Sequence, residues 1–387
     1  MITFRVPSGE LASLLQSISR VIPQSDPNRL RTEILFDISE DRLKLTGSNP
    51  QYRISGEIVL AEPCEPCLFT VPPSDINDYV KELPEQPLTF TYQPNEDSGR
   101  GPLKMSFAGG EINFTATNGE NYPIFDPGEP SEGFSFEIET SLIRQGIAYT
   151  INSACNLPDR KNISCIYFRF RNDYLDIVGT DGLILSRYRV NNSFIDGLKD
   201  NDKKDFLLPY NCAHFMRSFL PRYDAEMMHV EVNEKRILFK IDSLEIESML
   251  VDASYPNYES IIPTKFEYEL SMDTTQLKNV VRRINKFIND DSFIDLIPTS
   301  EGLRIEAKKT EENKTANETI SFENPNEMEM AMAFDKKRFY TLLENIETDL
   351  VLFNIVDITR PVIITPAEAK ENTSLICLIA PIPVSRK

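Results

Sequence analysis

Histidine is nearly missing from this chain. There are two in 387 residues, His214 and His229, and neither stands at the spacing of a metal site or a catalytic triad. His214 falls in a helical pattern and His229 in an alternating one, so both read as structural side chains. The sequence has no G-x-S-x-G, no P-loop and no G-x-G-x-x-G, which removes the common signatures of hydrolases and nucleotide-binding enzymes. Long apolar runs are missing too: stretches such as Leu375 to Ala380 fall far short of a membrane span. Met1 to Val6 reads as a strand and not as a leader, so the expectation is a cytoplasmic protein with no membrane contact. Cysteine is sparse and scattered, at 64, 67, 155, 165, 212 and 377. Cys64 and Cys67 form a lone C-x-x-C between strand-like stretches, whereas a zinc site needs a second such pair and a redox motif a helix N-terminus. No metal and no cofactor is expected. Basic residues are the minority, with 41 Lys and Arg against 60 Asp and Glu and a net charge of −19. Taken as an average, that argues against a nucleic-acid partner.

What the chain does have is a repeat. Tyr122-Pro123-Ile124-Phe125 closes one stretch, and Tyr255-Pro256-Asn257-Tyr258 closes another about 130 positions later, a domain-sized period. A third stretch ends in Ala380-Pro381-Ile382-Pro383. Each stretch opens with an amphipathic helix pattern: Ser8 to Val21, Thr140 to Ala154, Asp273 to Ile288. Each then has a strand with a similar phrase, at Leu43 to Ser48, Leu175 to Thr180 and Leu303 to Ala307. A second short helix follows at Pro73 to Leu83, Pro209 to Leu220 and Asp335 to Ile346. Asp273 with Gln276 has the form of a capping box.

Between the helices the pattern alternates, clearly so at Glu33 to Ile38, Ile166 to Phe170, Met228 to Val232, Arg236 to Ile241 and Leu350 to Ile355. Asp181-Gly182 and Glu301-Gly302 mark turns between strands. The expectation is an α+β chain of three similar domains, 1–128, 129–260 and 261–387, each with two helices packed on antiparallel sheets. The linkers fall at Asp126 to Gly133 and Pro256 to Lys265. The acidic stretch from Lys309 to Glu329 lacks a core pattern, and the sequence leaves its order open, local disorder being one outcome.

The cations are segregated. Arg20, Lys81, Arg144, Arg217 and Arg222 lie on or just after helix patterns, with Arg29 and Arg31 in the first loop. The third repeat adds Lys278, Arg282, Arg283 and Lys286 on one helix and Lys336, Lys337 and Arg338 at the start of the next. Acidic residues gather in loops and at strand ends. This pattern suits a local positive surface on a negative body, which would accept a duplex along one face. The plain alternative is a set of solvated helix faces. Carboxylates are plentiful, but the closest pair, Asp176 and Asp181, is better explained by a turn, so a binding role is favoured over a metal-dependent nuclease. A three-domain scaffold that binds proteins without encircling DNA is the other alternative.

Two stretches carry a family resemblance. Val251 to Pro263 (Val-Asp-Ala-Ser-Tyr-Pro-Asn-Tyr-Glu-Ser-Ile-Ile-Pro) resembles [FY]-P-[DN]-Y-x-x-[VIL]-[IL]-P. Val178 to Leu185 (Val-Gly-Thr-Asp-Gly-Leu-Ile-Leu) resembles A-T-D-G-x-R-L. With the apolar C-terminal tail and the threefold repeat, the whole chain resembles the bacterial DNA sliding clamps, the beta subunits of the replicative DNA polymerase III. The resemblance implies the DNA clamp fold and a head-to-tail homodimeric ring, with helices lining the hole and sheets outside. It implies a processivity factor without catalytic activity, which holds duplex DNA irrespective of sequence through the helix-borne cations named above.

The resemblance further implies a hydrophobic groove between the second and third repeats for the replicative polymerase, the clamp loader and other proteins carrying a clamp-binding motif. The matching positions are Ile163, Thr180, Gly182, Leu185, Pro256, Ile261, Leu378, Ala380, Pro381 and Ile382. Phe287 and Ile288 would meet Phe107, Ile112 and Phe114 of a second copy. The chain departs from the family pattern at Ile184, Glu259 and Ser260, where basic residues are common. It departs again at Ala380, where Met is usual, and in the longer tail from Pro383 to Lys387.

Overall fold

The computed structural model describes residues 1–95, 98–123, 133–192, 194, 204–223, 225–288, 293–309, 312–368 and 370–382. The expected linker at Asp126 to Gly133 and the tail from Pro383 to Lys387 lie outside those residues, apart from Gly133. Helical spacing of apolar residues gives α1 (Ser8–Ile18), α2 (Pro73–Val80), α3 (Thr140–Ile151), α4 (Tyr210–Phe219), α5 (Thr274–Phe287) and α6 (Lys336–Glu344). In α5 the buried stripe is Leu277, Val280, Val281 and Ile284, at the i, i+3, i+4, i+7 spacing of one helix face. Asp273 caps it by accepting the Gln276 N–H at 2.6 Å, and Asp335 does the same for α6 from Arg338 N–H at 2.9 Å.

The chain forms two compact units. One comprises Met1–Thr140 with Pro221–Leu250, the other Ser141–Leu220 with Val251–Lys387. The first holds a 12-stranded antiparallel sheet, with α1 packed on α2. Stacked rings fill part of its core, Phe4 on Phe90 at 5.1 Å and Phe36 on Phe69 at 5.0 Å. The second holds an 8-stranded and a 4-stranded antiparallel sheet, with α5 packed on α6.

Two strand pairings join one sequence repeat to the next. Strand Tyr52–Val59 pairs with Leu244–Met249, setting Arg53 opposite Glu247. Strand Ile184–Val190 pairs with Thr373–Ile379, setting Leu185 opposite Leu378. Each first member follows a strand of the recurring phrase, Arg42–Ser48 or Leu175–Thr180. Glu247 is buried between two guanidiniums, Arg53 Nε at 2.6 Å and Arg236 Nη1 at 2.6 Å, which is the arrangement a buried carboxylate requires.

The stretch from Lys309 to Glu329, whose order the sequence leaves open, carries regular structure among its described residues. Lys314–Ile320 is a strand paired with Gly302–Lys309, and Met328 is buried. Charged edge strands conceal their alternation: Ala316, Glu318 and Ile320 share one face, and the other carries only polar side chains.

Candidate functional site

Strand register builds the apolar site row by row within the second unit. Thr180, Leu185, Leu378 and Ile363 lie opposite one another across neighbouring strands. The next row on that face is Tyr167, Val178, Arg187 and Ile376, and the one after is Arg169, Asp176, Arg189 and Ser374. The face therefore grades from aliphatic to ionic. Val178, Leu185, Ile363, Leu378 and Tyr258 form one buried cluster, with Tyr167, Tyr255, Ile262 and Ile376 packed against it. The Tyr-Pro segment is pinned there: Tyr255 stacks on Tyr167 at 4.6 Å, and the Tyr258 hydroxyl donates to Asp176 Oδ2 at 2.6 Å.

A tight turn bounds the aliphatic end. Thr180 Oγ1 donates to Ile184 O at 2.6 Å and accepts from Gly182 N at 3.1 Å. Asp181 Oδ1 accepts from Leu183 N and Ile184 N at 2.8 and 2.9 Å, while its Oδ2 accepts from Arg338 Nε at 2.6 Å. Gly182 has φ +94°, a conformation that glycine adopts without a Cβ clash. Ala380 N donates to Leu183 O at 3.0 Å and Ile382 N to Ala333 O at 2.8 Å, which anchors the C-terminal strand beside the turn.

Of the residues expected to line the groove, Ile163, Thr180, Leu185 and Leu378 are buried. Pro256 and Ile261 are exposed, and Ala380, Pro381 and Ile382 are half-buried. Cys155 N donates to both Ile163 O and Thr180 O, which brings Ile163 to the turn. The sequence reading missed Tyr167, Val178, Tyr255, Tyr258 and Ile363. Their signal was present in strand alternation: Val178 and Leu185 take the face of Leu378 once the register is fixed.

Burial raises the pKa of Tyr167, Tyr255 and Tyr258, with Asp205 adding to it for Tyr167 and Asp176 for Tyr258. A raised folded-state pKa means stability that is complete below the unfolded tyrosine value near 10 and is lost as pH rises past it. Urea midpoints recorded from pH 8 to 11 are expected to fall above pH 10. Tyr255→Phe should flatten that slope.

The expected DNA contacts differ in exposure and in the charge of their neighbours. Arg20, Arg217, Arg222, Arg282, Lys286 and Lys337 are exposed, and Arg144 is half-buried on α3. Arg20 lies near enough to Arg222 for that charge, after burial, to lower its pKa. Arg217 reaches Asn152 and Arg282 reaches Asn279, both neutral side chains. Arg29, Lys81 and Arg283 are exposed beside Glu33, Asp78 and Glu318.

Three of the expected contacts need correction. Lys336 is 2% exposed and donates to Ile288 O, the C-cap residue of α5, so it does not face solvent. Lys278 donates to Ile346 O, and burial lowers its pKa. Arg338 is bound to Asp181 and Asp335. Among the expected contacts with a second copy, Phe287 is 56% exposed and Phe107 and Ile112 are half-buried. Phe114 is buried, and Ile288 is 0% exposed, so Ile288 belongs to the core of its own unit.

His229 pairs with Glu137 at 2.5 Å, and His214 stacks on Tyr210. Among the described residues no group of three His, Cys, Asp or Glu side chains converges as a metal site. Burial pushes the Cys67 thiol up to about 12 and raises Cys64 as well, which is opposite to an activated thiolate. Among the described residues no helix is long and apolar enough to cross a membrane.

Comparison with known proteins agrees with this architecture. Residues 2–124 match the family model for the DNA polymerase III beta subunit, N-terminal domain, and residues 259–380 match that for the C-terminal domain. The beta sliding clamp of Streptococcus pneumoniae is 20% identical over 382 residues, covering 96% of this chain and 97% of that relative. A Pseudomonas aeruginosa DNA polymerase III subunit beta structure superposes with TM-score 0.88 at 20% identity, covering 99% of this chain and all of the other. A Pseudomonas aeruginosa sliding clamp bound to griselimycin does so with TM-score 0.87 at 19% identity, with the same coverage. Two family models that together span most of the sequence, on a fold shared end to end, place the chain in the DNA polymerase III beta subunit family, the bacterial sliding clamps.

Proposed function

We propose that two copies of this chain close into a ring around duplex DNA and act as a non-catalytic processivity factor. In this reading the domains are 1–128, 129–260 and 261–387. The observation that carries it is a leftover pair of strand edges. Lys314–Ile320 follows Gly302–Lys309 as Tyr52–Val59 follows Arg42–Ser48, and it ends its sheet with one edge unpaired among the described residues. Gly110–Asn118 follows Arg100–Phe107 as Leu244–Met249 follows Arg236–Ile241. Beyond that hairpin it pairs only through Thr117 and Asn118.

Inside the chain, strands of these two kinds pair at both repeat junctions. Among the described residues the third junction has both partners and no intramolecular pairing, so a second copy supplies it, and twofold symmetry closes the ring with two such junctions. Phe287, Phe107 and Ile112 supply apolar surface for it. Sedimentation of the purified chain tests this, with a mass twice 44.2 kDa expected. Salt-sensitive retention on circular but not linear DNA is the second arm. A stable monomer would remove the ring.

Exposed Arg20, Arg217, Arg222, Arg282, Lys286 and Lys337, with half-buried Arg144, are the proposed phosphate contacts. Arg282→Ala should reduce the slope of log K against log salt by about 0.9, the value of one released counterion, in binding to a nicked duplex of any sequence. Lys336→Ala should change stability and leave that slope unaltered. A scaffold that does not hold DNA is favoured only by the internal engagement of Lys278, Lys336 and Arg338, and an Arg282→Ala slope equal to the native one would support it.

The aliphatic rows beneath the Tyr-Pro segment are the proposed peptide groove, with Leu185 and Leu378 as floor and Ile261, Ala380, Pro381 and Ile382 as rim. Its partners are the replicative polymerase, the clamp loader and other proteins with a clamp-binding motif, and its setting is the cytoplasm. The likeness to a clamp bound to griselimycin supports a site of this kind.

A further inference from the structure

Four arginines stand on the sheet face that carries the groove, and three of them are satisfied. Arg189 grips Asp176 with two hydrogen bonds, Nε to Oδ1 at 2.6 Å and Nη2 to Oδ2 at 2.7 Å, and lies 3.7 Å over the Tyr174 ring. Arg169 meets Glu259 at 2.5 Å and the Tyr258 hydroxyl at 3.0 Å. Arg171 meets Asp205 at 2.8 Å.

Arg187 differs. Its nearest carboxylate oxygen, on Asp176, is 4.0 Å from Nε, its Nε is buried without a hydrogen-bond partner, and its side chain is 12% exposed. Asp176 is already taken by Arg189 and Tyr258. Burial lowers the Arg187 pKa, and Asp176 opposes that only in part. Leaving the buried Nε–H unpaired in a largely dry place is costly, and the terminal nitrogens have no partner among the described residues to hold them, so a partner is expected to arrive from outside the chain.

Its position says what that partner is. Arg187 sits directly opposite Val178 on one side and Ile376 on the other, and two residues along its strand from Leu185. Its stem therefore belongs to the apolar floor, and its backbone stands two residues along the strand from Leu185, about 6.6 Å in an extended chain.

We infer that Arg187 is a specificity-determining residue that selects peptides carrying an acidic side chain two positions from their hydrophobic anchor. The guanidinium and carboxylate pair as a planar fork, which neither a neutral amide nor a lysine-bearing peptide reproduces. This rests on the groove reading above and adds the charge of the ligand to it.

The test uses the full chain and fluorescein-labelled, C-amidated peptides read by anisotropy. The probes are Ala-Asp-Ala-Leu-Phe and Leu-Phe-Ala-Asp-Ala, each with an Asn counterpart, because either chain direction places the carboxylate at the same distance. An Asp peptide is expected to bind ~10-fold more tightly than its Asn counterpart. That ratio should fall to ~1 in Arg187→Gln and survive in part in Arg187→Lys, with the Asn peptide binding all three proteins alike. Urea midpoints confirm that the variants are folded, and Arg187→Lys serves if Arg187→Gln is not.

Free-acid forms of the Asn peptides separate a terminal carboxylate from a side-chain one, and preference for the terminal group would overturn the inference as stated. Equal binding of Asp and Asn peptides to the native chain would overturn it and leave the groove intact, as would a preference unchanged in Arg187→Gln. Absence of binding by every peptide would remove the groove reading and this inference together.

Discussion

Asp176→Ala should be among the most damaging single substitutions in the second unit, lowering its stability by about 3–5 kcal/mol in urea denaturation. The carboxylate is 0% exposed and accepts from Arg189 Nε, Arg189 Nη2 and the Tyr258 hydroxyl, with Arg187 at 4.0 Å. Its removal strands the Arg189 guanidinium and a phenol in a largely dry place and takes from Arg187 a neighbouring counter-charge. The magnitude follows from that asymmetry: the net contribution of an intact buried pair is small, but an orphaned charge carries its full desolvation cost. Asp176→Asn should fall between the two, since an amide keeps the shape and one acceptor but loses the charge. Tyr258→Phe should cost about 1–3 kcal/mol, since its hydroxyl donates to Asp176 and accepts from Arg169. A loss below about 1 kcal/mol for Asp176→Ala would mean that Arg189 finds another partner and that the cluster is not built around this carboxylate.

The second large effect concerns ring closure. Phe287→Asp should leave the fold unaltered, because the ring is 56% exposed and stands at the end of α5. It should nonetheless abolish retention on circular DNA. Burying one such side chain contributes about 1.5–3 kcal/mol. A symmetric ring carries the change at both junctions at once, so dimer affinity should fall by about 100-fold to 10,000-fold. Analytical ultracentrifugation across a dilution series measures it. An unchanged dimer would show that the junction lies elsewhere on the chain.

The helices were legible because their apolar spacing and caps are local. Asp273 and Asp335 sit at the N-caps of α5 and α6, and the alternation at Arg236 to Ile241 and Leu350 to Ile355 matches the strands residue for residue. Helix ends were less so: the pattern from Ser8 runs to Val21, yet α1 stops at Ile18. Side-chain fate was least legible. Lys336, Lys337 and Arg338 read as one charge run, but the first caps the end of another helix and the third is held by two carboxylates. A charge run records composition, and the direction of each side chain is set by tertiary partners that no local window contains. The groove was legible at its motif residues because the Tyr-Pro and Thr-Asp-Gly phrases are contiguous. Its tyrosine and aliphatic partners come from strands brought together only by register. Arg187 stands two residues past Leu185 and so shares its face, a parity that charge counting does not use.

Arg338 gives the molecule a property that neither surface has alone. Its guanidinium is drawn to Asp181, whose other oxygen holds the turn at the aliphatic end of the groove. It also sits on α6 in the run beginning at Lys336, one residue past the exposed Lys337. In the proposed ring, a phosphate held at the neighbouring Lys337 would compete with Asp181 for Arg338, and a peptide that needs the turn held rigid would favour Asp181. The two ligands then act on one equilibrium, and thermodynamic reciprocity fixes the sign: whatever DNA does to peptide affinity through this side chain, peptide does to DNA affinity by the same factor. The pair would behave as a negative heterotropic coupling, in which a clamp occupied by a partner holds its track a little more loosely.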